Sequence, residues 1–214
     1  MWKGFVAGLI VANAFEWVAH KYILHGTHRA GKPRYSPVPD SMKSHWEHHK
    51  IVRKTEFFDQ GYIEGIKNWR TRNELISLGA VATATSLMFY PISKGMALAA
   101  WYSAINYFYT HRKAHLEPEW AIKVIPWHYD HHMNANQDAN WCVTKPWFDY
   151  IMGTRIISAQ DLQEKNPLGI ALPEPLSKSL QKIAGRYFPA QYIQAAIAES
   201  ENKSIYLTET EQGA

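Results

Sequence analysis

Residues 4–19 carry only two polar side chains, Asn13 and Glu16, and apolar character continues through Tyr22, Ile23 and Leu24. Counted from Phe5 to Leu24, this is a run of 20 residues, about 30 Å of helix and enough for a bilayer core. Lys3 at its start and Ala12-Asn13-Ala14 within it resemble a signal peptide. The helical pattern nevertheless runs straight on into His20 and His25, so a retained span is expected. Two further apolar stretches, residues 75–90 and 96–109, flank the break Pro91-Ile92-Ser93-Lys94-Gly95. Together they read as a helical hairpin with proline and glycine at its tip. Each arm is shorter than a full span, so a buried hairpin in a soluble helical protein competes with a membrane hairpin. Beyond Pro167, two short amphipathic segments are expected near 174–185 and 190–199, followed by a polar, acidic tail.

Charge decides between the two hairpin readings. If the hairpin tip and the amino terminus share one side, that side holds only Lys3 and Lys94 of the 23 Lys and Arg. Every histidine and all other Lys and Arg lie on the opposite side, a positive-inside asymmetry. The expected fold is therefore all-α, with about three membrane spans and a cytoplasmic helical cap that carries the chemistry. The amino terminus would lie outside. Residues 1–157 form the main domain, and 158–214 a helical extension with a tail.

Composition then narrows the chemistry. The net charge of +4 is too weak to imply nucleic acid without a motif, and no basic–aromatic patch is present. The single cysteine, Cys142, excludes an intramolecular disulfide and a cysteine-based zinc or iron–sulfur site. No glycine-rich phosphate loop or serine elbow occurs. Histidine stands out, with 11 residues, all between positions 20 and 49 or between 111 and 132.

Ten of them fall into four motifs. The first half of the chain has His20 and His25, then His45, His48 and His49; the second has His111 and His115, then His128, His131 and His132. Each half is thus a spaced pair followed by His-x-x-His-His, which suggests a duplicated unit and a symmetric two-centre site. Positions i, i+3 and i+4 share a helix face, so each triplet should converge, as should His111 and His115. His20 and His25 are five apart, which a straight helix splays by roughly 140°. A helix ending near His25, with Gly26 in a left-handed cap, would let His25 turn back. His28 belongs to no motif and is expected in a solvated loop.

Imidazole suits iron, zinc, copper or nickel. Ten donors suggest two metals with four or five each, since a closed structural zinc needs four. The Glu-x-x-His pattern of soluble di-iron bundles is missing. Two divalent ions among neutral imidazoles leave a formal +4 to be offset by nearby carboxylates. Glu16, one turn before His20, is the expected acceptor for a ligand ring. Glu47 and Asp130 sit inside the triplets off the ligand face, where solvent or ion pairs are expected. Tyr107, Tyr109, Trp120 and Trp127 either line a substrate passage or pack the core.

The order His-x(4)-His, His-x-x-His-His, His-x(3)-His, His-x-x-His-His resembles the membrane fatty acid hydroxylase and sterol desaturase superfamily. Residues 16–26 are similar to its carotene hydroxylase relatives, and residues 134–155 to the Asn-rich segment that ends in an aromatic, Asp and Gly-Thr. Cys142 departs from the pattern, standing where glycine is common. The resemblance covers about residues 1–157. It implies a non-haem di-iron centre, in which zinc can replace iron on purification, held by the ten motif histidines. It further implies hydroxylation of an unactivated C–H bond in a lipid acyl chain, with dioxygen and two electrons from a separate donor, a b-type cytochrome or a ferredoxin with its reductase. A carotenoid ring hydroxylase and a non-enzymatic membrane metal-binding protein are the alternatives.

Overall fold

The computed structural model describes residues 1–26, 39–134, 136–157 and 166–187, and every regular element among them is helical. His28, Pro33 and Pro37, the second amphipathic segment near 190–199 and the polar tail lie outside the described residues. Helix α1 spans Trp2–Val18 and continues without a break into a π-helical segment, Ala19–Leu24. Helix α2, Asp40–Lys54, carries the first triplet. The short α3, Gly61–Glu64, leads to the hairpin, α4 (Trp69–Phe89) and α5 (Lys94–Leu116). Helix α6, Pro118–Val124, and α7, Pro126–Met133, follow, then α8, Trp147–Ile151, and α9, Glu174–Tyr187. Helix α9 covers the first expected amphipathic segment.

Local signals set the boundaries. Asn68 caps α4 by accepting from the Arg70 amide, and Ser93 caps α5 by accepting from Met96. Proline opens both α6 and α7, where its missing N–H costs nothing. The proline at 126 thereby starts the helix that presents the second triplet.

Helix α1 packs along α5, and α5 along α4. The α1–α5 crossing is close because it is built from small residues: a side chain at Gly8 would meet the Ala99 Cβ at 2.6 Å. Gly95 lies against the backbone of Met1 and Phe5, and Gly4 against Ser93. The amino terminus and the hairpin tip are therefore neighbours, as the charge argument required. The opposite ends of α1 and α5, together with α2 and α7, meet around the histidines.

The expectation of three membrane spans is not carried by these helices. No helix among the described residues is long and apolar enough to cross a membrane. Regular α-helix ends at Val18 in α1. Helix α4 opens with Arg70, Arg72 and Glu74, and α5 closes with His111, Arg112, Lys113 and His115.

Candidate metal centre

All ten motif histidines come together, and none is more than 8% exposed. They divide into two groups. In the first, His20, His25, His45, His49 and His131 each offer a ring nitrogen within 4.8 Å of all the others; in the second, His48, His111, His115 and His132 do the same. His128 stands beside the second group, its Nε2 3.1 Å from that of His115.

This partition revises the expectation that each triplet converges on one point. His45 and His49 enter the first group but His48 enters the second; His128 and His132 lie at the second but His131 reaches the first. The i+3 and i+4 side chains of a helix diverge by about 100°. A triplet therefore spans two adjacent centres, and the two halves of the chain exchange one histidine each. The duplicated sequence has become a duplicated site.

His20 and His25 meet by a different device from the one expected. His25 stays in helical conformation, and its amide donates to the His20 carbonyl at 3.0 Å, five residues back. That π register puts the fifth residue above the first, and the two rings sit 5.1 Å apart. Gly26, at φ +42°, then turns the chain out of the helix.

The Nδ1 partners determine what the rings can do. His48 donates to Asp59 at 2.7 Å, His111 to Glu74 at 2.6 Å, His115 to the Phe57 carbonyl at 2.8 Å and His131 to the Ala139 carbonyl at 2.7 Å. His20 donates to the Trp141 carbonyl and His49 to Gln137. Because these partners accept, Nδ1 must hold the proton and Nε2 is left as a bare lone pair. Yet Nε2 faces Nε2 at 3.1 Å between His48 and His115 and at 3.2 Å between His49 and His131. Two lone pairs at that distance repel unless a cation sits among them. The Nε2 atoms of His25 and His111 and both ring nitrogens of His132 are buried without a hydrogen bond. Burial holds the imidazoles of both triplets well below their ordinary range, that of His131 to about 4, so they are neutral near pH 7 and able to act as metal ligands. The donor set fits two nitrogen-ligated metals.

Long-range contacts supply the supporting atoms. Asp59 also accepts from both Arg70 guanidinium nitrogens and from the Gly61 amide. Glu74 also accepts from the Tyr62 hydroxyl at 2.7 Å. The carbonyls that hold the rings come from strained turns: Phe57 has φ +76°, and Asn140, at φ +59°, stands between Ala139 and Trp141. Asp149 fixes the latter turn by accepting from the Trp141 and Cys142 amides at 2.8 Å and from Thr154.

Glu16 does not hydrogen-bond a ligand ring. Its carboxylate accepts from the Val143 and Thr144 amides and from the Thr144 hydroxyl at 2.6 Å, tying α1 to the segment after the second triplet. Among the described residues, the carboxylates that hydrogen-bond to the clustered rings are Asp59 and Glu74. Glu74 carried a comparable signal, being an acidic residue at the start of the apolar stretch 75–90, as Glu16 is one within the first. Asp59 had no such local signal. Glu47 is exposed, and Asp130 pairs with the buried Arg155 at 2.8 Å, as expected. Of the four aromatics, Tyr107 lines the cavity described next, Tyr109 faces outward, and Trp120 and Trp127 pack the core around Val52 and Phe57.

A cavity of about 560 Å³ lies between α1, α4 and α5. Its wall runs from Met88, Phe89 and Met96 near the hairpin tip to His20, His45, His48 and His111 at the other end. Along α4 it extends from Arg70 to Phe89, about 28 Å at 1.5 Å per residue. The middle is lined by Leu78, Val81, Ala82, Ala100 and Ala104, and Ser41, Ser44, Asn73 and Ser77 add hydroxyl and amide groups toward the histidine end.

None of the curated proteins matches the chain, and no solved structure matches it. The family model described as fatty acid hydroxylase matches residues 5–154, a segment that contains all four histidine motifs and the Asn140–Asp149 turn. The family is one of oxidoreductases with hydroxylase-like function. On its matched length and its two buried histidine groups, the chain belongs to the fatty acid hydroxylase family, within the membrane fatty acid hydroxylase and sterol desaturase superfamily.

Proposed function

We propose that the protein is a membrane-embedded di-iron oxygenase that hydroxylates an unactivated C–H bond of a lipid acyl chain. One observation carries this reading: the long apolar cavity opens onto ligands of both histidine groups. A protein that merely stored metal would have no use for an apolar passage leading to it. A cavity about 28 Å long along α4 suits an extended acyl chain. Two irons held there would supply dioxygen activation. Overall, R–H, dioxygen, two electrons and two protons give R–OH and water, the electrons coming from a separate cytochrome b or ferredoxin system.

The chain's own residues do the rest. Asp59, Glu74 and the carbonyls of Phe57, Ala139 and Trp141 fix the ring tautomers, so that Nε2 is free to bind metal. The apolar wall binds the alkyl chain and excludes water, and the polar groups near the histidines receive its more polar end. Membrane embedding is supported by the outward faces of the bundle. Val6, Ile10, Phe15, Leu87, Leu98, Trp101 and Ile105 are exposed and apolar, and the α1–α5 crossing uses the small-residue packing of membrane helices. The basic end of the bundle, with the histidines, would face the cytoplasm.

The test is mass spectrometry of total lipids from cells with and without the gene, in a host that makes both acyl lipids and carotenoids. Acyl chains should gain one oxygen, and the His48→Ala variant should lose that product while accumulating normally. Hydroxylated carotenoid beside unchanged acyl chains would transfer the activity to a carotenoid ring. Absence of any dioxygen-dependent product would leave a metal-binding protein.

A further inference from the structure

The two histidine groups match in donor type but differ in what stands behind the rings. In the first, the acceptors on Nδ1 are neutral: the Trp141 carbonyl on His20, the Ala139 carbonyl on His131 and the Gln137 amide oxygen on His49. The carboxylate of Glu16, one turn before His20, is hydrogen-bonded to Val143 and Thr144 instead. In the second group, two rings donate to carboxylates, His48 to Asp59 and His111 to Glu74. Asp59 is bridged at both oxygens by Arg70, which offsets its charge. Glu74 has no such offset: among the described residues no lysine or arginine is ion-paired with it, and its other oxygen accepts from the neutral Tyr62 hydroxyl.

We propose that the two centres are unequal, that the group of His48, His111, His115 and His132, with His128 beside it, binds its metal first and more tightly, and that Glu74 is the positioning residue that makes it so. The inference rests on the two-metal reading above. A carboxylate that accepts the Nδ1 proton draws the ring toward imidazolate and raises the basicity of Nε2. A hydrogen bond to a charged acceptor is about twice as strong as one to a neutral carbonyl. The Glu74 charge also offsets part of the cation's own charge in a buried site. Access does not distinguish the centres, because ligands of both line the same cavity.

The experiment adds Co(II) stepwise to the metal-free, full-length protein in detergent and follows its visible absorption. Two ions should bind in two resolved steps. Glu74→Gln should weaken the tighter step by about 10–100-fold and leave the weaker one in place, an outcome that general loosening of the fold would not produce. Gln137→Glu, at a half-buried position, should tighten the weaker step by placing a carboxylate behind His49; it reads the same asymmetry should Glu74→Gln fail to fold. Two indistinguishable steps in the unaltered protein would overturn the proposal, as would a Glu74→Gln effect on the weaker step or on both equally. Uptake of fewer than two ions would remove the two-metal reading and this inference together.

Discussion

Asp149 touches no histidine, yet replacing it with alanine should both destabilise the protein and loosen the first metal centre. The side chain is fully buried and accepts from the Trp141 and Cys142 amides and from the Thr154 hydroxyl. Truncation leaves two amides without partners in residues that are themselves buried, at about 1–3 kcal/mol each. The Thr154 hydroxyl, which also accepts from the Trp17 indole at 2.9 Å, loses its anchor as well. The expected loss is about 3–6 kcal/mol, or roughly 6–24 °C in melting temperature for a chain of this size. Asp149→Asn keeps one acceptor oxygen but turns an N–H toward the other amide, so it should fall between. Melting of the metal-free full-length chain measures the effect. Co(II) binding then shows whether the first group, whose His20 and His131 lean on carbonyls of this turn, weakens selectively. A melting temperature within about 2 °C of the unaltered protein, with Co(II) binding unchanged, would refute the reasoning, since such a shift corresponds to less than about 1 kcal/mol.

Three further outcomes follow from the same geometry. Glu16→Gln should keep the metals and cost about 1–2 kcal/mol through the Val143–Thr144 strap; a loss of Co(II) affinity comparable to that of Glu74→Gln would show that Glu16 acts on a ligand ring after all. Ala100→Phe should fill the middle of the cavity and abolish turnover of long acyl chains while both Co(II) ions still bind; unaltered product profiles would place the substrate elsewhere. The metal-free protein should lose stability in acid. Burial depresses the His131 pKa from 6.5 to about 4, so the unfolded chain binds more protons between those values. Stability is full above about 6.5 and falls as the pH drops toward 4, by about 3 kcal/mol for this one ring; equal melting temperatures at about pH 7 and pH 5 would contradict it.

The sequence by itself determined the parts list. Helix-compatible spacing singled out eight of the ten histidines that the fold gathers, because a shared helix face is a local property, readable at i, i+3 and i+4. The break at Pro91–Gly95 located the hairpin for the same reason. It could not show that each triplet feeds two centres, since that depends on where a second helix lies. Nor could it show that His20 and His25 meet through a π turn: their five-residue spacing is awkward for an α-helix, and packing chose the register. The supporting atoms were hidden most deeply. Asp59 and Glu74 reach rings on α2 and α5, and the Trp141 carbonyl reaches His20 across 121 positions of chain. Glu16 shows the limit from the other side. Its place one turn before His20 was read correctly, but its carboxylate went to the nearest unpaired amides, those of a segment 127 residues away. A side chain's helix face is fixed by the sequence around it, whereas its hydrogen-bond partner is fixed by whatever the tertiary fold brings within about 3 Å.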